Sequence, residues 1–387
     1  MKLFFYSGFL SLNRIAMPFL FIASGCIEAY VPPIVDSEVN YLVVDGSLDG
    51  SDGTAQITLS RAVGLSSKKP SPPELKAKVS VEGSDGSSFA LKEIGDGFYQ
   101  QSGLTIVNTN EYRLRIKTAD NAEYVSDYAK IKITPPIDEL KWTANPRNDG
   151  IDILLNTHDD TRNARYYVWT FEETYENEAA YRAILKVANG SVVPIPVEED
   201  NYRCWKTITS KKIIISSTNQ LVDDAVYNFP VTVIPLGSPK VIIKYSVLVK
   251  QRAISKQAYN YWLALQKTTE TLGSLFDPQP GKVVGNIRNV SDPTVPAIGY
   301  FDVGSTQSKR IFINSTDLPA NLRSYKSYGS CRSDTVDVAD IPKFDNVGNT
   351  LIGVIQSGPS ISGYSFTIAS CTDCRINGVT TKPSFWQ

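Results

Sequence analysis

The chain of 387 residues has one histidine, two methionines and five cysteines. With His158 alone, any Ser-His-Asp or Cys-His arrangement would have to run through a single residue. That residue sits in Asn156-Thr157-His158-Asp159-Asp160, a polar stretch that reads as a loop between strands. G-x-S-x-G and H-E-x-x-H motifs are absent, as are a P-loop, a dinucleotide fingerprint and an EF-hand loop, so no cofactor or metal is expected and the chain reads as non-enzymatic. Charge of one sign is missing too. A formal net charge of −1 with 20% charged residues leaves no electrostatic footprint for a phosphate backbone, which excludes nucleic acid as a partner. Long apolar runs are lacking: Ile15 to Ala23 is short and interrupted by Pro18, whereas a membrane-crossing helix needs roughly 20 residues.

What is present begins with an export signal over residues 1–25. Lys2 and Arg14 supply positive charge, Ile15 to Ala23 the apolar core, and Ala23-Ser24-Gly25 the small residues before Cys26. Ala23-Ser24-Gly25-Cys26 resembles the lipobox of bacterial lipoproteins, with Ala23 where leucine is usual. It implies lipidation of Cys26 and attachment to a membrane through that lipid. The alternatives are an ordinary secretory signal that leaves Cys26 as a plain thiol, and initiation at Met17. Residues 26–40, with Pro32 and Pro33, read as a tether.

From Tyr41 onward the hydrophobic period is two. Ala55, Ile57 and Leu59 alternate with polar residues, as do Ala77, Val79 and Val81, then Tyr112, Leu114 and Ile116. Turn clusters such as Gly83-Ser84-Asp85-Gly86 separate them, and Tyr128 to Thr134 reads as a closing strand before Pro135-Pro136. The expectation is a mainly β protein: an immunoglobulin-like β-sandwich over 41–134, followed by a larger β-rich domain over 137–387. Within the latter, Ile151–Leu155, Tyr166–Phe171, Ile213–Ile215, Val241–Val249, Ala297–Val303, Arg310–Ile313, Leu351–Ile355 and Tyr364–Ile368 read as strands. Glu172 to Asn189 reads as a helix or a long excursion. One amphipathic helix is expected near 255–272, capped by Ser255, with Ala258, Trp262, Leu265, Thr269 and Leu272 as its stripe and Gly273 ending it.

Cys204, Cys331, Cys371 and Cys374 are an even set and read as structural disulfides. Three pairings are open; adjacency favours a clip between Cys371 and Cys374, and zinc or a redox dithiol is the alternative for that C-x-x-C. Glu172 and Glu173, with Glu176 and Glu178, offer paired carboxylates of the kind glycoside hydrolysis needs. Aromatic residues in irregular segments are candidate ligand contacts, Tyr175, Tyr181 and Trp205 foremost, with Tyr202, Tyr325 and Tyr328. Asp334-Thr335-Val336 resembles a short acceptor motif for O-linked glycans.

An ordered string of motifs runs through the chain: Cys26-Ile27-Glu28, Tyr41-Leu42-Val43-Val44-Asp45-Gly46, Tyr166-Tyr167-Val168-Trp169, Cys204-Trp205, Ala253-Ile254-Ser255-Lys256-Gln257-Ala258-Tyr259, Gly273-Ser274-Leu275-Phe276-Asp277-Pro278-Gln279-Pro280 and Lys382-Pro383-Ser384-Phe385-Trp386. Together they resemble the Bacteroidota lipoproteins of the domain of unknown function 4249 family. That resemblance implies an outer-membrane protein facing the cell surface, an accessory of a TonB-dependent receptor in ligand capture or uptake, and structural cysteines; it carries no catalytic residues. The rival readings are a surface hydrolase using carboxylates such as Glu172 and Glu173, and an envelope scaffold or adhesin.

Overall fold

The computed structural model describes residues 40–387 apart from 65, 66, 68, 148, 271–282, 284 and 328. The expected export signal, Cys26, nearly all of the expected tether, the expected loop at 277–281, the expected helix end at Leu272-Gly273 and Tyr328 therefore lie outside the described residues. Among the described residues the protein is mainly β, with two sheet-on-sheet cores, a separate five-stranded sheet as a third body and one α-helix.

The first core follows from the alternation of residues 42–61. Leu42, Val44 and Leu48 point inward from strand Leu42–Asp49, and Ala55, Ile57 and Leu59 from its antiparallel partner Thr54–Arg61. They face Val79, Val81, Tyr112, Leu114 and Ile116 of the opposite sheet, every one of them buried. Two further strands come from far along the chain. Ile298–Gly304 runs parallel to Leu42–Asp49, and Ile287–Asn289 pairs with Glu123–Ser126. Ile287, Phe301 and Val303 complete this core, so residues 41–134 do not close the sandwich alone. Period-two patterning identifies a strand but not its neighbour, which is why this pairing is invisible in sequence. The closing strand expected over 128–134 is only the short Ala129–Lys130.

The second core lies between the sheet Ile137–Ala144, Gly150–His158, Ala225–Pro235 and the sheet Arg203–Thr209, Tyr166–Glu178, Lys244–Ala253, Thr306–Asn314. Segment 172–178, expected as a helix or an excursion, continues the strand Tyr166–Glu178, because it pairs on both sides, with Arg203–Thr209 and Lys244–Ala253. Ladder hydrogen bonds on both edges outweigh the helix propensity of its glutamates. Inside, the indole of Trp169 donates to Gln251 Oε1 at 2.8 Å, and Gln251 Nε2 donates to Pro135 O at 2.8 Å and Thr157 Oγ1 at 2.9 Å. A buried amide is thus satisfied, and it pins the proline pair between the two sandwiches.

The helix Lys256–Glu270 starts as its sequence predicts, since Ser255 Oγ accepts from Ala258 N at 3.0 Å. Its apolar stripe of Ala258, Tyr261, Trp262 and Leu265 packs on Tyr300 from the first sandwich and on Tyr166 and Val168 from the second. Arg252 makes the same crossing: its guanidinium lies 3.4 Å from Asp302 and donates to Leu48 O at 3.3 Å. Among the described residues no helix is long and apolar enough to cross a membrane.

The third sheet, in the order Ser191–Pro194, Leu185–Ala188, Asn349–Ser357, Ser360–Ile368, Asp334–Asp337, is held by covalent ties. Cys331 pairs with Cys371, and Cys204 on the edge of the second sandwich pairs with Cys374. The adjacency clip between Cys371 and Cys374 is therefore not formed. Each sulfur has a more distant partner, which consumes both thiols of the C-x-x-C and removes it as a zinc pair or redox dithiol.

Candidate functional site

The strand Tyr166–Glu178 decides where its acids point. Residues 167, 169, 171, 173 and 175 enter the core, and their even-numbered neighbours face the other way. Glu173 is buried, accepting from Tyr245 Oη at 2.7 Å and from Lys240 Nζ at 2.5 Å. Glu172 lies on the opposite face, 3.5 Å from Arg310, whose guanidinium stacks 3.5 Å above the Phe385 ring centroid. Adjacent acids on a strand cannot flank one bond, so Glu172 and Glu173 are not a carboxylate pair.

On the outer face Glu176 lies opposite Trp205 and Glu178 opposite Arg203. Arg203 reaches both acids, at 3.5 Å and 3.2 Å, and Tyr202 Oη donates to Glu178 at 2.7 Å. Lys326 donates to the same hydroxyl at 3.0 Å and lies 4.7 Å over the Tyr202 ring. These carboxylates are occupied by cations and a phenol, and they fix the side chains of the strand beside them.

What they fix is one wall of a concavity of about 420 Å³, lined by Arg182, Val197, Asp200, Tyr202, Arg203, Trp205 and Thr380. A volume of that order suits a small ligand. Its far wall is the C-terminal segment, which joins the edge strand through Trp205 N to Val379 O at 2.8 Å and Val379 N to Trp205 O at 2.9 Å. Gly378 allows that approach: a Cβ there would meet Trp205 O at 2.7 Å. The Cys204–Cys374 disulfide holds the two walls together behind the pocket. Arg182 is clamped by Asp200 at 2.6 Å and lies 5.7 Å from the Tyr202 ring centroid. Trp205 Nε1 is buried with no hydrogen-bond partner, an unmet donor costing about 1–3 kcal/mol. The pocket thus presents two guanidinium groups and two aromatic rings, a set that recognises an acceptor-rich ligand with a flat or apolar part.

Of the sequence-based candidates, Trp205 and Tyr202 line this pocket. Tyr175 does not; it is 8% exposed and packs inside the second core, because its odd position on the strand turns it inward. Tyr181 is half-buried, its N–H bonded to Cys371 O at 3.0 Å, and it is not part of the pocket wall. Tyr325 is exposed and does not line it. Arg182, Asp200 and Thr380 were missed. Arg203 was legible in principle, since period two on an edge strand puts residues 203 and 205 on one face, but nothing in sequence brings Thr380 alongside.

His158 closes the strand Gly150–His158 rather than lying in a loop, with Nδ1 2.7 Å from Asp138 and Nε2 3.7 Å from Asp160. The bond to Asp138 holds the imidazole above its ordinary pKa. Among the described residues no group of three or more His, Cys, Asp or Glu is placed to hold a metal ion.

A family model described as a domain of unknown function (DUF4249) matches residues 27–310. A search of the curated proteins finds no match to this chain.

Proposed function

The chain belongs to the domain of unknown function (DUF4249) family, and from that premise we propose a non-enzymatic, lipid-anchored outer-membrane protein that captures a ligand as an accessory of a TonB-dependent receptor. The observation that carries capture is the pocket at Trp205, whose walls are set by paired charges and a disulfide before any ligand arrives. Pre-set walls lower the ordering cost of binding. The envelope setting is supported by the signal-like first 25 residues, by the small residues before Cys26, and by two disulfides, which form and persist most readily in an oxidising compartment. The receptor partnership comes from the family resemblance. The capture face is the Arg182–Trp205 pocket, with the first sandwich serving as spacer or receptor contact.

The test is purification of the tagged, full-length protein from detergent-solubilised membranes. A TonB-dependent receptor is expected to come down with it, and the mature polypeptide is expected to begin at Cys26 with an acyl mass. Recovery without any receptor, under conditions that keep other receptor complexes intact, defeats the partnership. An unacylated mature start defeats the anchoring.

A further inference from the structure

A second site lies where the helix Lys256–Glu270 spans the two sandwiches. Two adjoining concavities, of about 220 and 380 Å³, share Asp127, Gln257, Asn286 and Tyr300 as a common wall. The helix supplies Gln257, Asn260, Tyr261 and Ala264, the spacing of three, four and seven that one helix face requires. Tyr300 projects from the opposite side, on the strand that adds to the first sandwich from far along the chain.

Three polar groups on this wall are unspent. Tyr261 is 8% exposed as a residue and lines the groove, and its hydroxyl makes no hydrogen bond to any described residue, which leaves that oxygen to water or to a ligand. Burial and the nearby Asp45 push its pKa up to about 12, so it stays protonated and able to donate. The amides of Gln257 and Asn260 are exposed and likewise make no hydrogen bond to a described residue. Asn286 is the contrast: both ends of its amide are used on Phe301, at 2.9 and 2.8 Å, so it forms fixed wall. Tyr300 Oη has only a long 3.3 Å contact to Ser255 Oγ.

The charges around the groove are balanced. Asp127 is engaged by Arg288 at 3.0 Å, Glu111 by Lys130 at 3.8 Å and Asp302 by Arg252 at 3.4 Å, while Lys132 reaches Asn163 O at 3.5 Å, so acids and bases on the wall nearly cancel and attraction for an ion of either sign is small. Amides and phenols each donate and accept, as sugar hydroxyls do. A peptide would also seek apolar pockets for its side chains, and apart from the Tyr261 ring the helix face offers only Ala264. We propose that this groove binds a neutral saccharide, with Gln257, Asn260 and Tyr261 as the hydrogen-bonding contacts.

The site is separate from the Trp205 pocket, and the proposal does not rest on the receptor partnership. Titration calorimetry of the full mature chain would use short linear glucans, mannans and xylans, with polygalacturonate and a tetrapeptide pool as charged and peptidic comparators. At least one neutral glycan is expected to bind at low millimolar concentration or tighter. Y261F, which removes only an unbonded hydroxyl, and Q257A are each expected to weaken it by roughly fivefold without lowering the melting temperature, and W205A is expected to leave it unchanged. Failure of every neutral glycan to bind overturns the proposal. So does binding that Y261F and Q257A leave intact, or tighter binding of polygalacturonate or peptide.

Discussion

Glu172 and Glu173 are neighbours in sequence and face opposite sides of one sheet, Glu173 buried against Tyr245 and Lys240 and Glu172 outside against Arg310. Their substitutions should therefore differ in kind. Glu173→Ala strips a buried phenol and a lysine ammonium of their acceptor, and a broken buried pair costs roughly 3–5 kcal/mol. Lys240 retains some solvent access, so about 3 kcal/mol is expected. Glu172→Ala should cost less than about 1 kcal/mol. Urea unfolding of the two variants measures this, and equal losses would contradict the placement of the two side chains.

The two disulfides make a covalent prediction. Cys204–Cys374 closes a separation of 170 residues and Cys331–Cys371 one of 40. Proteolysis without reduction should yield peptides linked 204 to 374 and 331 to 371, and none with Cys371 joined to Cys374. Cys204→Ser with Cys374→Ser should lower stability by about 2–5 kcal/mol, and it should loosen the C-terminal wall of the Trp205 pocket first. A 371–374 peptide would refute the pairing.

Local chemistry was legible in sequence, and long-range pairing was not. The alternation at Leu42–Asp49 and Thr54–Arg61, the Ser255 cap and the Ala258–Leu265 stripe are set by neighbours within a few residues, and the structure has them where the sequence predicts. Trp205 stands out in sequence as an aromatic in a segment that reads as irregular; it lines the pocket, but from the strand Arg203–Thr209. Glu172 to Glu178 misled because glutamates suit a helix, and what overrides that propensity is a ladder to Arg203–Thr209 on one side and Lys244–Ala253 on the other. Thr380 meets the Trp205 pocket across more than a hundred residues, Tyr300 combines a strand pairing with 42–49 and packing on a helix from earlier in the chain, and no local pattern encodes either.

Gly285, Gly299 and Val44 test the long-range strand directly. Gly299 lies opposite Val44 in the parallel pair with φ +136°, and a Cβ there would come within 1.9 Å of Val44 O; a Cβ on Gly285 would meet Gly299 O at 1.7 Å. No side-chain rotation relieves a clash with backbone. Gly299→Ala should thus cost about 3 kcal/mol or more, combining overpacking with left-handed strain. Gly86, at φ +89° with open space around it, pays the strain alone, and Gly86→Ala should cost about 1 kcal/mol. Thermal melts of both variants decide it. Comparable small losses would mean that 298–304 does not pack beside 42–49.

The single histidine gives the pH prediction an unobstructed readout. Asp138 hydrogen-bonds His158 Nδ1 at 2.7 Å and raises its pKa, with smaller help from Asp160 and Asp159. A raised histidine favours the folded state while protonated: the contribution is complete below the unfolded value of about 6.5 and is lost as pH rises through the higher folded value. The side chain is 48% exposed, so salt should weaken the effect. NMR titration of the one imidazole should give a midpoint above the ordinary value that falls toward it in Asp138→Asn and at high salt. Asp160→Asn should shift it less, because that carboxylate is 3.7 Å from Nε2 and nearly fully exposed. A wild-type midpoint at the ordinary value, or one indifferent to Asp138→Asn, would show that strands Ile137–Ala144 and Gly150–His158 do not hold these two side chains in contact.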